Sequence, residues 1–177
     1  AGLSEMGAET LRRAHKAHPI SDLQIEYSLI SRGVEAEILP TARELGVGIT
    51  AYGVLSRGLL SGHWDASQPL KKGDFRGFLP RFSKGNVERN LSLVEQLRNI
   101  SRDKDVTVAQ IAIAWALARG HDVVPLVGAR TRERLTEALG AENVPLTVDD
   151  IARLERAVPP DAVAGTRYDA HQMAILD

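Results

Sequence analysis

Along this chain the hydrophobic positions switch repeatedly between a helical and an extended period, and the switches can be counted as units. Ala1-Gly2-Leu3-Ser4 reads as the end of a strand whose beginning is absent. Glu5 to His18 carries good helix formers and stops at Pro19, which predicts a helix entered from Ser4 as N-cap, with Glu5 in its first turn. Leu23 to Leu29 alternates as a strand, with Gln24, Glu26 and Ser28 on one face and Leu23, Ile25, Tyr27 and Leu29 on the other. Glu35 to Leu45 is the next helix, closed by Gly46, and Val47 to Tyr52 is the next strand.

From Gly53 to Gly85 the pattern dissolves into Gly, Pro, Ser and short charged clusters, a loop longer than compact domains usually tolerate. Helical periodicity resumes over Asn86 to Arg102. Thr107 then opens a helix, Val108 to Arg119, that is apolar around much of its circumference and so is expected to be buried. Asp122 to Val127 is expected to be a buried strand interrupted by Pro125, and Thr131 to Leu139 the helix after it. A last helix runs from Thr147, as N-cap, to about Val158; Pro159-Pro160 stops it and an irregular tail follows to Asp177.

Repeated strand–helix units imply parallel strands with right-handed crossovers. No internal repeat and no linker divides the chain, so residues 1–177 read as a single domain with a long loop at 53–85 and a tail at 159–177. Three strands and a fragment of a fourth make either a small open sheet or half of a (β/α)8 barrel. Both place a ligand at the C-terminal ends of the strands.

Composition narrows the chemistry. The 177 residues contain no cysteine, which excludes disulfides, thiolate nucleophiles and cysteine-ligated metal. With 22 Lys plus Arg against 23 Asp plus Glu, no general field attracts nucleic acid or acidic membranes. The longest strictly apolar run, Ile111 to Ala118, is far below the roughly 18 residues that span a bilayer. No signal-peptide pattern opens the sequence, and a cytoplasmic location is the expectation.

Candidate chemistry gathers at the strand ends. After the last strand comes Gly128-Ala129-Arg130-Thr131-Arg132-Glu133-Arg134, in which cations at a helix start oppose the helix dipole unless an anion binds there. The same residues also fit a solvated helix start compensated by Glu133. Tyr52 ends a strand before Gly53-Val54-Leu55-Ser56-Arg57-Gly58, and its ring could either stack on a planar group or cover the core. Gln24 and Glu26 could be polar groups inside a barrel or line a polar edge. His63, Trp64 and Phe75 could touch a ligand or fold the loop down, and His15 with His18 reads as a surface pair without a third metal ligand.

Taken together, Gln24 to Leu29, Gly48 to Gly62 and Val124 to Arg130 with Leu135 and Glu137 resemble the C-terminal half of an aldo-keto reductase, over essentially the whole chain. That resemblance implies an α/β fold, the C-terminal half of a (β/α)8 TIM barrel with parallel strands and outer helices, binding NADPH at the strand ends. It implies that Ser4 and Gln24 hold the nicotinamide carboxamide, that Tyr52 stacks on the nicotinamide, and that Leu55, Arg57 and Gly58 form the turn around the pyrophosphate. Gly128 is counted with the cofactor site, Arg130 and Arg134 fall where the 2′-phosphate is recognised, and Glu137 falls near adenine. Two positions depart from the pattern: Glu5 and Ala138 stand where many members have Asn. The family's tyrosine, lysine, histidine and aspartate for proton transfer belong to the other half of the barrel, so no catalytic residue is assigned here. The expected partners are a small aldehyde or ketone and either the missing N-terminal half or a second copy. The alternative is a non-catalytic half-barrel that binds a nucleotide or a protein.

Overall fold

The computed structural model describes residues 1–64 and 70–176. Four strands, β1 (Gly2–Ser4), β2 (Asp22–Glu26), β3 (Gly48–Tyr52) and β4 (Val123–Pro125), lie side by side in chain order, each pair parallel. Helix α1 (Ala8–Ala17) connects β1 to β2, and α2 (Ile38–Leu45) connects β2 to β3. The long loop, α3 (Asn86–Asp103) and α4 (Val108–Leu117) separate β3 from β4; α5 (Arg132–Leu139), α6 (Val148–Ala157) and α7 (Ala170–Ala174) follow. Strands added one after another without reversal are wound as in a barrel rather than a doubly wound sheet, and these four make part of one.

Register decides which side chains share a face. Leu3, Leu23, Ile49 and Val123 form one row across the sheet and pack into the hydrophobic core, with Leu23, Ile49 and Val123 buried. The next row, Ser4, Gln24, Thr50 and Val124, points the opposite way onto a face that is open. Val124 is 62% exposed there. The core is sealed by α4, whose residues Val108 to Ala116 are buried apart from Gln110. Thr107 caps that helix as its sequence indicates, accepting from the Gln110 backbone N–H at 3.1 Å.

Several elements differ from the sequence expectation, each for a tertiary reason. Ser4 is not an N-cap: it pairs with Gln24 as the last residue of β1, and the helix starts three residues beyond Glu5, with Gly7 as its cap. Sheet pairing thus overrides the capping preference of serine. The second strand ends at Glu26, and the residues after it turn through a Ser28–Ser31 bridge, although Tyr27 and Leu29 remain fully buried. The helix expected from Glu35 is split into a 3-10 turn, Gly33–Glu35, and α2. The last strand is short because Pro125 has no N–H to donate, and only its Val123 is buried. Over its described residues the long loop carries three 3-10 turns, and Leu59, Leu60, Leu79 and Phe82 are buried there. Its residues 65–69 lie outside the described ones. The tail carries a 3-10 turn, Pro160–Ala162, and α7.

Two glycines test how backbone and packing share the cost of a turn. Gly46 closes α2 at φ +68 with open space where a Cβ would sit. Gly165, at φ +81 in the tail, leaves a Cβ only 2.7 Å from the Pro80 backbone. Gly46→Ala is therefore expected to cost about 1 kcal/mol, from the left-handed conformation alone. Gly165→Ala should cost about 2–3 kcal/mol, because the tail must also move away. Urea unfolding midpoints check the order, and equal losses would show that the tail is not packed on Pro80.

Candidate functional site

At the C-terminal ends of β3 and β4 the chain opens a cleft of about 720 Å³. One wall is the turn after β3, with Tyr52, Leu55, Arg57 and Gly58; the other is the start of α5, with Gly128, Arg130, Arg134 and Glu137; Ala109 and Ile113 of α4 close it below. Thr131 caps α5 through the Arg134 N–H at 3.3 Å, and Arg130, Thr131 and Arg134 around the helix start line the cleft. Glu137 is already engaged, accepting from Arg134 at 3.0 Å and bonding His63 Nε2 at 2.9 Å. Burial would raise the Glu137 carboxyl, but its bonds with His63, Thr107 and Arg134 hold it below the usual carboxylate range. Arg130 and Arg132 make no ion pair among the described residues and remain exposed. The cleft thus presents surplus positive charge where α5 begins.

A second cluster holds the strand ends together. The Glu26 side chain has no exposed surface, and its Oε1 accepts from Ser31 at 2.7 Å and from Arg81 at 3.2 Å. Its Oε2 faces Arg57 at 3.4 Å. Arg81 also donates to Ser31 Oγ at 2.8 Å and to the Ile30 carbonyl at 2.7 Å. Burial, with repulsion from Arg57 and Arg167, holds the Arg81 guanidinium below its ordinary pKa against the pull of Glu26. Next to it, Glu5 takes both Arg167 nitrogens, at 3.0 and 2.5 Å, and accepts the Glu26 backbone N–H at 3.0 Å. Two carboxylates and three guanidiniums therefore meet at the ends of β1, β2 and β3.

Asn90, buried on α3, brings distant segments to this cluster. Its amide donates to the carbonyls of Arg81 and Ala164 at 3.1 and 2.9 Å, and its oxygen accepts the Ala164 N–H at 2.9 Å. The loop residue Arg81 and the tail residues Arg167 and Tyr168 are thereby delivered to the same place.

Of the residues singled out from sequence, Tyr52, Leu55, Arg57, Gly58, Gly128, Arg130, Arg134 and Glu137 line the one cleft. Ser4 and Gln24 do not line it; they stand side by side on the open face of the sheet. Glu26 is buried and paired, and Trp64 packs edge-on against Phe82 with ring centres 5.5 Å apart, which folds the loop down. Phe75 stays half exposed, and His15 Nδ1 accepts the Ile20 N–H at 3.3 Å in the turn after α1. Arg81, Arg167, Tyr168 and Asn90 were not visible as site residues. The available signal was indirect: two carboxylates, Glu5 and Glu26, at adjacent strand ends require cations from somewhere else in the chain.

Comparison with known proteins bears on this geometry. The model of the aldo/keto reductase family matches residues 1–159. A curated relative, probable aldo-keto reductase 1 of Glycine max, is 40% identical over 167 residues, which is 94% of this chain and 48% of that protein. Among solved structures, the glycerol dehydrogenase of Gluconobacter oxydans superposes with a TM-score of 0.81 at 26% identity, covering 90% of this chain and 49% of the other. The chain spans about half the length of the relatives it matches.

Removing the cation and leaving the buried anion should be costly. Arg81→Met is expected to destabilise the fold by about 3 kcal/mol in chemical unfolding, and adding Glu26→Gln should recover part of that loss. No recovery in the double variant would mean that Arg81 acts through its carbonyl and serine contacts rather than through Glu26.

Proposed function

The chain belongs to the aldo/keto reductase family, and from that membership we propose that it supplies the NADPH-holding half of an oxidoreductase that reduces aldehydes or ketones. The observation that carries this reading is the cleft that unites the Tyr52–Gly58 turn with the arginines at the start of α5. A dinucleotide asks for an aromatic face, a turn that can approach a pyrophosphate, and cations for a terminal phosphate, and these stand along one groove in that order. Bound there, NADPH supplies a hydride to a carbonyl carbon.

The residues of this chain bind and orient. Tyr52 offers its ring to the nicotinamide, while Arg57 and Gly58 face the pyrophosphate. Arg130, unengaged and exposed, is the main partner of the 2′-phosphate; Arg134 shares its charge with Glu137 and contributes less. Glu137, held by His63, borders the adenine. Glu5, where many family members have Asn, is committed to Arg167, which leaves Ser4 and Gln24 to hold the carboxamide. None of Tyr27, Tyr52 and Tyr168 matches the family's proton donor, so on this reading that residue comes from the other half of the barrel. The open face, with Val124 and Leu126 more than half exposed, favours a complementary half-barrel or a second copy as the partner that closes it.

The test is cofactor discrimination in a protein that carries this chain within a whole barrel. Arg130→Ala should weaken NADPH binding about 10- to 100-fold and NADH binding little, the effect expected for losing one charge-assisted hydrogen-bonding partner of a phosphate. Arg134→Ala should do the same more weakly. Equal losses for the two cofactors in a titration would sink the 2′-phosphate assignment.

A further inference from the structure

Tyr168, in the tail, does not line the cleft, yet it is bonded to two residues that do. Its hydroxyl oxygen accepts from Arg57 Nη2 at 2.9 Å and lies 3.1 Å from the Tyr52 hydroxyl. Hydrogen-bond directions follow from what each group can donate. A guanidinium only donates, so the Tyr168 oxygen receives that bond, and the same hydroxyl shares a second bond with the Tyr52 hydroxyl, in which either oxygen can be the donor. The Glu5 carboxylate, close to Tyr52, is held by both terminal nitrogens of Arg167. The result is a linked series, Arg57 to Tyr168 to Tyr52, set beside the Glu5–Arg167 pair.

The chain of bonds is anchored independently of any ligand. Ala164 is held by both sides of the Asn90 amide and Gly165 packs on Pro80, which fixes where the next residues emerge. The Tyr168 ring sits near two guanidiniums, with centroid distances of 5.0 Å to Arg57 and 5.6 Å to Arg167. Losing its hydroxyl would leave this stacking in place and cut only the link. Burial, and then the bonds from Tyr168 and Glu5, push the Tyr52 phenol above its ordinary pKa, so the ring stays neutral.

We propose that Tyr168 is a positioning residue that couples the pyrophosphate arginine Arg57 to the nicotinamide-facing ring of Tyr52, so that the tail sets the grip on the reactive end of the cofactor. The proposal rests on the NADPH reading above. It is tested in a protein that carries this chain within a whole barrel, by fluorescence titration with NADPH and with adenosine 2′-monophosphate, which has the 2′-phosphate but neither pyrophosphate nor nicotinamide. Tyr168→Phe, which removes the link between Arg57 and Tyr52, should weaken NADPH about fivefold, the scale of a net hydrogen bond, and leave adenosine 2′-monophosphate unchanged. In a Tyr52→Phe background the same substitution should add no further loss, because the hydroxyl that Tyr168 bonds is already gone. Unchanged NADPH binding, equal weakening of both ligands, or full additivity with Tyr52→Phe would each overturn the coupling. A folded wild-type protein that binds adenosine 2′-monophosphate and NADPH no better than background would instead overturn the NADPH reading, and the coupling with it.

Discussion

A carboxylate with no solvent-exposed surface at the end of β2 constrains the rest of this structure. An unpaired buried carboxylate costs several kcal/mol even after relaxation, so Glu26 can be tolerated only if cations are brought to it. Neither cation is local. Arg57 comes from the turn after β3 and Arg81 from the 3-10 turn Pro80–Phe82, each with its own anchoring. Satisfying Glu26 therefore requires the segment after β3 to fold back across the strand ends. That requirement explains why a stretch rich in Gly, Pro and Ser is structured over its described residues.

The two arginines are not equivalent. Arg81 has a side chain only 9% exposed and makes three bonds in the cluster, to Glu26, Ser31 and the Ile30 carbonyl. Arg57 is 23% exposed, approaches Glu26 only to 3.4 Å, and lines the cleft. Arg81 is thus the structural counter-ion, and Arg57 is the one with charge to offer a ligand. Its backbone is consistent with that division: Ser56 and Arg57 both have positive φ, at 44° and 55°, a conformation that costs roughly 1–2 kcal/mol per non-glycine residue. The strain is held by the bonds that Arg57 makes on either side, to Glu26 and to Tyr168. On the proposed reading, the turn that meets the pyrophosphate is consequently shaped before that anion arrives.

How much of this was legible in the sequence depended on the range of the interaction. Local signals read correctly: Gly46 closing α2, Thr107 as the start of α4, Thr147 as a cap, the buried circumference of α4. Ser4 misled because its backbone was claimed by Gln24, twenty residues away, and a pairing partner leaves no mark on the serine itself. The cleft residues were legible through the family resemblance, since each lies in a short run near a strand end. The ion cluster was not, because Glu5 meets Arg167 across 162 positions and Glu26 meets Arg81 across 55. Periodicity has no term for such distances. What the sequence did display was one acidic side chain, Glu26, on a strand with apolar neighbours, and a buried carboxylate of that kind implies partners without naming them.

The same sheet carries two kinds of chemistry on its two sides and at its end. Toward the helices the rows are apolar and buried, with Leu23, Ile49 and Val123 in one layer. On the open side the row is mixed: Ser4, Gln24 and Thr50 are polar, while Val124, at the outer strand, is 62% exposed. A mixed row of this sort is poorly suited to lie against water over Val124 or to be sealed wholly by apolar groups over Gln24. It suits the wall of a barrel, where apolar side chains fill the layers and polar ones approach a ligand from below. On the proposed reading, the partner that covers Val124 and Leu126 is also the one that brings a proton donor opposite Tyr52. Closing the apolar edge and completing the reaction are then a single requirement, met by the same surface.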